Sequence, residues 1–146
     1  MIFERKKYLD ELIAGRGNGL VKIITGVRRC GKSFLLFDIW HNWLLEHGVT
    51  NSHIIEIQLD DFRNRRLRKP DVLLDYIDSK VVEDGNPYYI VLDEVQLVEE
   101  FVEVILSLTH MRNVDVYVSG SNSRFLSSDV VTEFRGRGDE IRIWPL

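Results

Sequence analysis

The 146 residues are 45% hydrophobic and 29% charged, which describes one soluble globular domain, large enough to bury a core and too short for a second complete one. Lys and Arg total 19 against 23 Asp and Glu, and the net charge of -4 offers no bulk attraction to nucleic acid or to an anionic membrane. A single cysteine excludes an internal disulfide, the segment from Met1 to Asp10 is too charged for a secretory signal, and no apolar run reaches the roughly 18 residues of a membrane span. The expected setting is therefore cytoplasmic, with no membrane partner.

Along the chain, short β-branched runs alternate with longer helical stretches, the pattern of a parallel sheet with crossover helices. Residues 5–13 place Tyr8, Leu9, Leu12 and Ile13 on one helical face, and the stretch from Gly15 to Gly19 breaks that helix. Strands are predicted at 21–25, 53–59, 88–92, 114–118 and 140–144. Helices are predicted at 32–46, 71–82 and 99–111. The first of these carries a wide apolar arc of Phe34, Leu35, Phe37, Ile39, Trp40, Trp43 and Leu44, and Gly48 stops it. Neither repeats nor a Pro-, Gly- or Ser-rich linker divides the chain, so it reads as one α/β unit over 1–146.

Gly26, Val27, Arg28, Arg29, Cys30, Gly31, Lys32 and Ser33 fit the phosphate-loop pattern between a predicted strand and a predicted helix. A triphosphate needs many donors converging on its oxygens. A loop that wraps into a helix N-terminus supplies backbone N–H groups and the positive end of the helix dipole. Lys32 is expected to reach the β- and γ-phosphates, Ser33 to complete the coordination of Mg²⁺, and Phe34 to border the nucleotide. Arg28 and Arg29 either help to hold phosphate or are exposed loop-tip residues. Cys30 sits beside a helix N-terminus and a lysine, which favour an oxidisable thiol; the alternative is a tolerated small residue.

The strand at 88–92 runs into Asp93 and Glu94 and so delivers two carboxylates to its C-terminal edge, where ligands bind in open α/β sheets. Asp93 is placed to hold Mg²⁺ and Glu94 to orient or deprotonate the attacking water. Gln96 either contacts this site or is a surface glutamine. The strand at 114–118 ends in Ser119, Gly120, Ser121 and Asn122, where a small polar side chain can sense the γ-phosphate or cap the next segment. Arg63, Arg65, Arg66, Arg68 and Lys69 form a basic run after the second strand that either touches nucleic acid or a partner or is a solvated loop; the solvated loop is the expectation, so nucleic acid is not indicated. The tripeptide Arg137-Gly138-Asp139 is a coincidence in a chain of this kind, and His41, His47, His53 and His110 have no metal-ligand spacing.

The phosphate loop, Val91-Leu-Asp-Glu-Val-Gln96, Ser119-Gly-Ser-Asn-Ser123, Phe134-Arg-Gly-Arg137 and Ile141-Arg-Ile-Trp-Pro-Leu146 together resemble a large family of microbial AAA-superfamily P-loop ATPases. The resemblance covers nearly the whole chain. It implies a P-loop NTPase three-layer sandwich with a five-stranded parallel sheet of order 5-1-4-3-2, which brings Ser119 to Asn122 near the γ-phosphate. It also implies a core that family members extend past the position of Leu146 into a helical lid and a C-terminal domain of unknown function. Gly138-Asp139 stands where the family more often carries an aromatic residue.

The expected function is ATP binding and Mg-dependent hydrolysis, because Glu94 directly after Asp93 supplies a base for water. Neither an Asn-Lys-x-Asp run nor an Asp-x-x-Gly after the second strand is present, so a GTPase is disfavoured. A small-molecule kinase, or a switch that holds ATP without hydrolysing it, stays open as an alternative. Arg135 and Arg137 are candidates for reaching a neighbouring subunit's nucleotide in a homo-oligomer. If so, the 146-residue piece would bind ATP yet turn it over slowly.

Overall fold

The computed structural model describes residues 2–26, 31–121 and 138–142. Five parallel strands make one sheet: β1 (Val21–Thr25), β2 (Ile54–Gln58), β3 (Tyr88–Asp93), β4 (Val114–Gly120) and β5 (Gly138–Arg142). Their spatial order is β2-β3-β4-β1-β5. Read from the opposite edge, this is the expected 5-1-4-3-2. β5 begins two residues before the predicted 140–144, and the rest of that prediction, Trp144 included, lies outside the described residues.

Every residue of β1 and β3 is buried, as happens when helices cover both faces of a parallel sheet. Successive side chains alternate faces. Ile23, Ile90, Leu92, Val116 and Val118 join one core, and Ile24, Tyr89, Val91, Tyr117 and Ile141 join the other. The first core is closed by α4 (Pro70–Lys80) and α5 (Phe101–Thr109) through Leu73, Ile77, Val104, Ile105 and Leu108. The second is closed by α1 (Ile2–Gly15) and the helix after the phosphate loop, through Tyr8, Leu12, Leu36, Trp40 and Leu44. Each fully buried Leu, Ile or Val contributes about 1.5–3 kcal/mol of transfer free energy, and these two layers hold the strand ends in register.

The helix predicted at 32–46 is continuous but changes pitch. It is α-helical over Lys32–Phe34 (α2), π-helical over Leu35–Trp40, and α-helical again over His41–Glu46 (α3). The wider turns end at the bulkiest buried side chain, Trp40, which stacks on Trp43 with ring centroids 5.2 Å apart and lies against Tyr117 at 5.2 Å. Two predicted helices are shorter than expected. Val81 is already extended, at φ -91 and ψ 122, so α4 stops at Lys80. Glu99 donates its backbone N–H to Arg68 O at 2.9 Å, and Glu100 adopts a left-handed φ of 51, so α5 starts only at Phe101. The basic run is not a loop: Phe62–Arg68 is a 3₁₀ helix.

Candidate functional site

Because β4 lies between β1 and β3, the C-terminal ends of these three strands sit side by side. Ile24 of β1 pairs with Ser119 of β4, and Leu92 of β3 pairs with Val118. The phosphate-loop helix starts at the end of β1, the acids stand at the end of β3, and the polar cluster of β4 separates them. Gly31 caps that helix with φ 102, in the left-handed range. A Cβ there would meet nothing within 4 Å, so the backbone angle, and not lack of space, demands glycine.

Lys32 is 4% exposed and points back over the strand ends, donating to Gly26 O at 3.1 Å and standing 3.9 Å from Glu94 Oε2. Ser33 Oγ donates to Asp93 Oδ2 at 2.7 Å, and Ser119 Oγ donates to Asp93 Oδ1. The same Ser119 oxygen accepts the backbone N–H of Glu94 at 3.1 Å. Burial pushes the Asp93 carboxyl above its ordinary range. The two serine hydroxyls oppose that rise, and the charges of Glu94 and Asp60 add to it.

Glu94 adopts φ 55 and ψ 49, left-handed for a residue with a Cβ, a conformation that costs roughly 1–2 kcal/mol. The turn swings its carboxylate under β4. Glu94 Oε1 accepts from Ser121 Oγ at 2.6 Å and from Gln96 Nε2 at 2.9 Å, which leaves Oε2 on the Lys32 side. Gln96 Oε1 is buried and has no hydrogen-bond partner among the described residues.

The structure thus brings together Gly26, Gly31, Lys32, Ser33, Asp93, Glu94, Ser119 and Ser121. Phe34 follows Ser33 and is 44% exposed. Val27, Arg28, Arg29, Cys30, Asn122, Arg135 and Arg137 lie outside the described residues. Gln96 belongs to the site rather than to open surface. Its signal is its place two residues after Glu94, in the 3₁₀ turn Val95–Leu97 that the left-handed Glu94 starts. Sequence reasoning passed over Lys22, Asp115 and Tyr117, which form a second buried polar cluster at the other end of the sheet. Among the described residues no cluster of three or more His, Cys, Asp or Glu could hold a metal ion. No described helix is long and apolar enough to cross a membrane.

Residues 18–146 match the model of a family described as AAA domain. An uncharacterized protein of Haemophilus influenzae is 30% identical over 145 residues, 99% of this chain and 36% of that protein. One from Methanocaldococcus jannaschii is 28% identical over 130 residues, 86% of this chain and 26% of its own length. The chain therefore spans about a third or less of the curated relatives it matches. Among solved structures it resembles Cdc6p from Pyrobaculum aerophilum, with TM-score 0.65 and 14% identity over 95% of this chain and 45% of that one. C. elegans PCH-2 gives TM-score 0.62 and 13% identity over 97% and 40%. Drosophila ORC bound to DNA gives 0.61 and 11% over 97% and 90%. At these identities the likeness is one of fold.

Proposed function

Because the chain belongs to the AAA domain family, we propose that it binds Mg-ATP between its phosphate loop and the acidic end of β3, and that it hydrolyses the bound nucleotide. One observation carries this reading: Lys32, Ser33, Asp93 and Glu94 converge on the end of the sheet where Gly31 turns the chain into a helix N-terminus. In this reading Lys32 leaves Gly26 O and Glu94 for the β- and γ-phosphate oxygens, while N–H groups of the loop cradle the phosphates.

The oxygens of Ser33 and Asp93 suit Mg²⁺, a hard cation bound through one or two carboxylates plus phosphate and water. Burial disfavours the charge on Asp93, and a cation beside it relieves that cost. The ion supplies neutralisation of charge on the β- and γ-phosphates. Glu94 orients the attacking water and takes its proton at Oε2, the oxygen that Ser121 and Gln96 leave free of their hydrogen bonds. Ser119 joins both acids through Asp93 Oδ1 and the Glu94 N–H, and with Ser121 and Asn122 it reports on the γ-phosphate. The 1–146 segment is the ATPase core. Arg135 or Arg137, acting across a homo-oligomer interface, is the transition-state cation of this scheme.

The test is Glu94→Gln in the full-length protein. Calorimetry should return wild-type affinity for Mg-ATP, while release of inorganic phosphate falls by about 10²-fold or more, since a positioned base contributes about 10² to 10⁴. Undiminished phosphate release would remove Glu94 from the chemistry. Wild-type protein that binds ATP and releases no phosphate would instead establish a non-hydrolysing switch.

A further inference from the structure

The 3₁₀ helix Phe62–Arg68 follows β2 and repeats every three residues, so side chains three apart stack in rows. Burial follows that period. Asn64 and Leu67 turn inward, whereas Phe62, Arg63, Arg65 and Arg66 are exposed. The inward row pins the turn: Asn64 Nδ2 donates to Gln58 O at 2.9 Å, and Leu67 is 2% exposed in the core. Arg68 Nε donates to Leu59 O at 2.9 Å, Asp61 accepts the Arg63 N–H at 3.0 Å, and Lys69 pairs with Glu99 at 3.0 Å.

The side chains of Phe62, Arg63, Arg65 and Arg66 have no such partners among the described residues. Phe62 is 69% exposed, more than any other large hydrophobic side chain among the described residues, and the Arg65 guanidinium lies 4.2 Å from its ring centroid. Arg65 and Arg66 donate only to the backbone carbonyls of Phe62 and Arg63. Among the described residues no carboxylate lies within 4.0 Å of the guanidinium of Arg63, Arg65 or Arg66. In a chain of net charge -4, three guanidinia without a carboxylate partner among the described residues and an exposed aromatic ring are held on one turn.

We propose that this turn binds single-stranded nucleic acid. A base stacks on Phe62, with Arg65 completing the platform by its cation–π contact. Arg63 and Arg66, one 3₁₀ turn and so about 6 Å apart along the axis, meet backbone phosphates. An acidic protein surface would use the guanidinia but not the ring face, and a duplex keeps its base faces stacked away from Phe62. The turn also adjoins the candidate site, because Leu59 donates its N–H to Asp93 O at 3.1 Å. Bound nucleic acid would thus rest beside the strand end that carries the acids.

Fluorescence anisotropy of a labelled oligothymidine, titrated with the full-length protein, tests the proposal. Phe62→Ala should weaken binding about tenfold, because stacking on an aromatic ring dominates sequence-tolerant binding. The triple variant Arg63→Ala/Arg65→Ala/Arg66→Ala should weaken it further and flatten the slope of log K against log salt by about 1.4, at roughly 0.7 for each of the two phosphate contacts of Arg63 and Arg66 on single strands. All four side chains are exposed, so circular dichroism melts of both variants should match wild type. An oligothymidine that does not bind overturns the proposal. So does a Phe62→Ala protein that binds as tightly as wild type. Polyglutamate displacing the oligonucleotide at equal charge would assign the surface to an acidic protein instead.

Discussion

Two buried lysines face a carboxylate in this molecule, one at each end of the sheet, and they are built differently. Lys22, at the start of β1, is 0% exposed and donates to Asp115 at 2.6 Å and to Asn18 at 2.9 Å. The other oxygen of Asp115 accepts from the Tyr117 hydroxyl at 2.7 Å and from the Gly17 N–H at 3.0 Å. Lys32, at the opposite end, donates to Gly26 O at 3.1 Å and stands 3.9 Å from Glu94, which takes a left-handed turn and accepts from Gln96, whose Oε1 has no partner among the described residues. The first cluster is closed: short contacts on every side bind the segment between α1 and β1 to β4. The second is hydrogen-bonded through its serines and Gln96, but its lysine and glutamate are not in hydrogen-bonding contact and its glutamate sits in a left-handed turn.

The comparison breaks most visibly at Asp115. Asp115→Ala leaves the Lys22 ammonium buried without its carboxylate, and losing one partner of a buried pair costs about 3–5 kcal/mol. Urea unfolding should show that loss, a large part of the roughly 5–15 kcal/mol that holds such a domain together, with ATP affinity of the folded protein unchanged. Replacing both partners by apolar residues, Lys22→Met with Asp115→Leu, should recover most of it. A loss of ATP affinity in Asp115→Ala at temperatures where it stays folded would mean that the two ends are not independent.

The matching change at the Lys32 end should invert the result. Lys32→Ala removes a cation that stands 3.9 Å from Glu94, too far for a hydrogen bond, and Glu94 Oε1 keeps its donors Ser121 and Gln96, so unfolding should cost less than in Asp115→Ala. Titration calorimetry should nevertheless show Mg-ATP binding weakened about 10²-fold, the loss of charge-assisted contacts to two phosphates. Equal ATP affinity in the two proteins would dissociate Lys32 from the nucleotide. A large drop in stability would make it a structural lysine like Lys22.

Residues contiguous in the chain were readable before the fold. Gly26 to Ser33 and Asp93-Glu94 are short contiguous patterns, and the strands that precede them stand within two residues of the positions expected from apolar runs. The sheet order rested on resemblance, because nothing local states which strands are neighbours. Lys22 reads as one polar residue in an apolar strand, and its partner Asp115 lies 93 positions away. The 3₁₀ turn has a period of three and mixed composition, which imitates a basic loop until its inward row is seen to be Asn64 and Leu67. Gln96 reaches the site only because Glu94 takes a backbone angle that no residue type announces.

The smallest change that still separates the two ends is Tyr117→Phe. Burial pushes the Tyr117 hydroxyl far above its ordinary range, and the Asp115 charge and hydrogen bond push it further, so it stays protonated and serves as a donor at every pH the protein tolerates. The substitution deletes that one donor. It keeps the ring against Trp40 at 5.2 Å and the Lys22 ammonium 5.1 Å from its centroid. Asp115 would still hold Lys22 and the Gly17 N–H, so no charge is left without a partner. The expected cost is therefore that of a single hydrogen bond to a charged group, about 1.5–3 kcal/mol at most and nearer 1 kcal/mol if the carboxylate tightens on its remaining donors. Urea unfolding measures it, and phosphate release should not change. A loss as large as that of Asp115→Ala would show that the tyrosine hydroxyl, and not the ion pair, closes the cluster. Slower hydrolysis at unchanged stability would show that the closed end of β4 acts on Ser119 and Ser121 at the other end of the same strand.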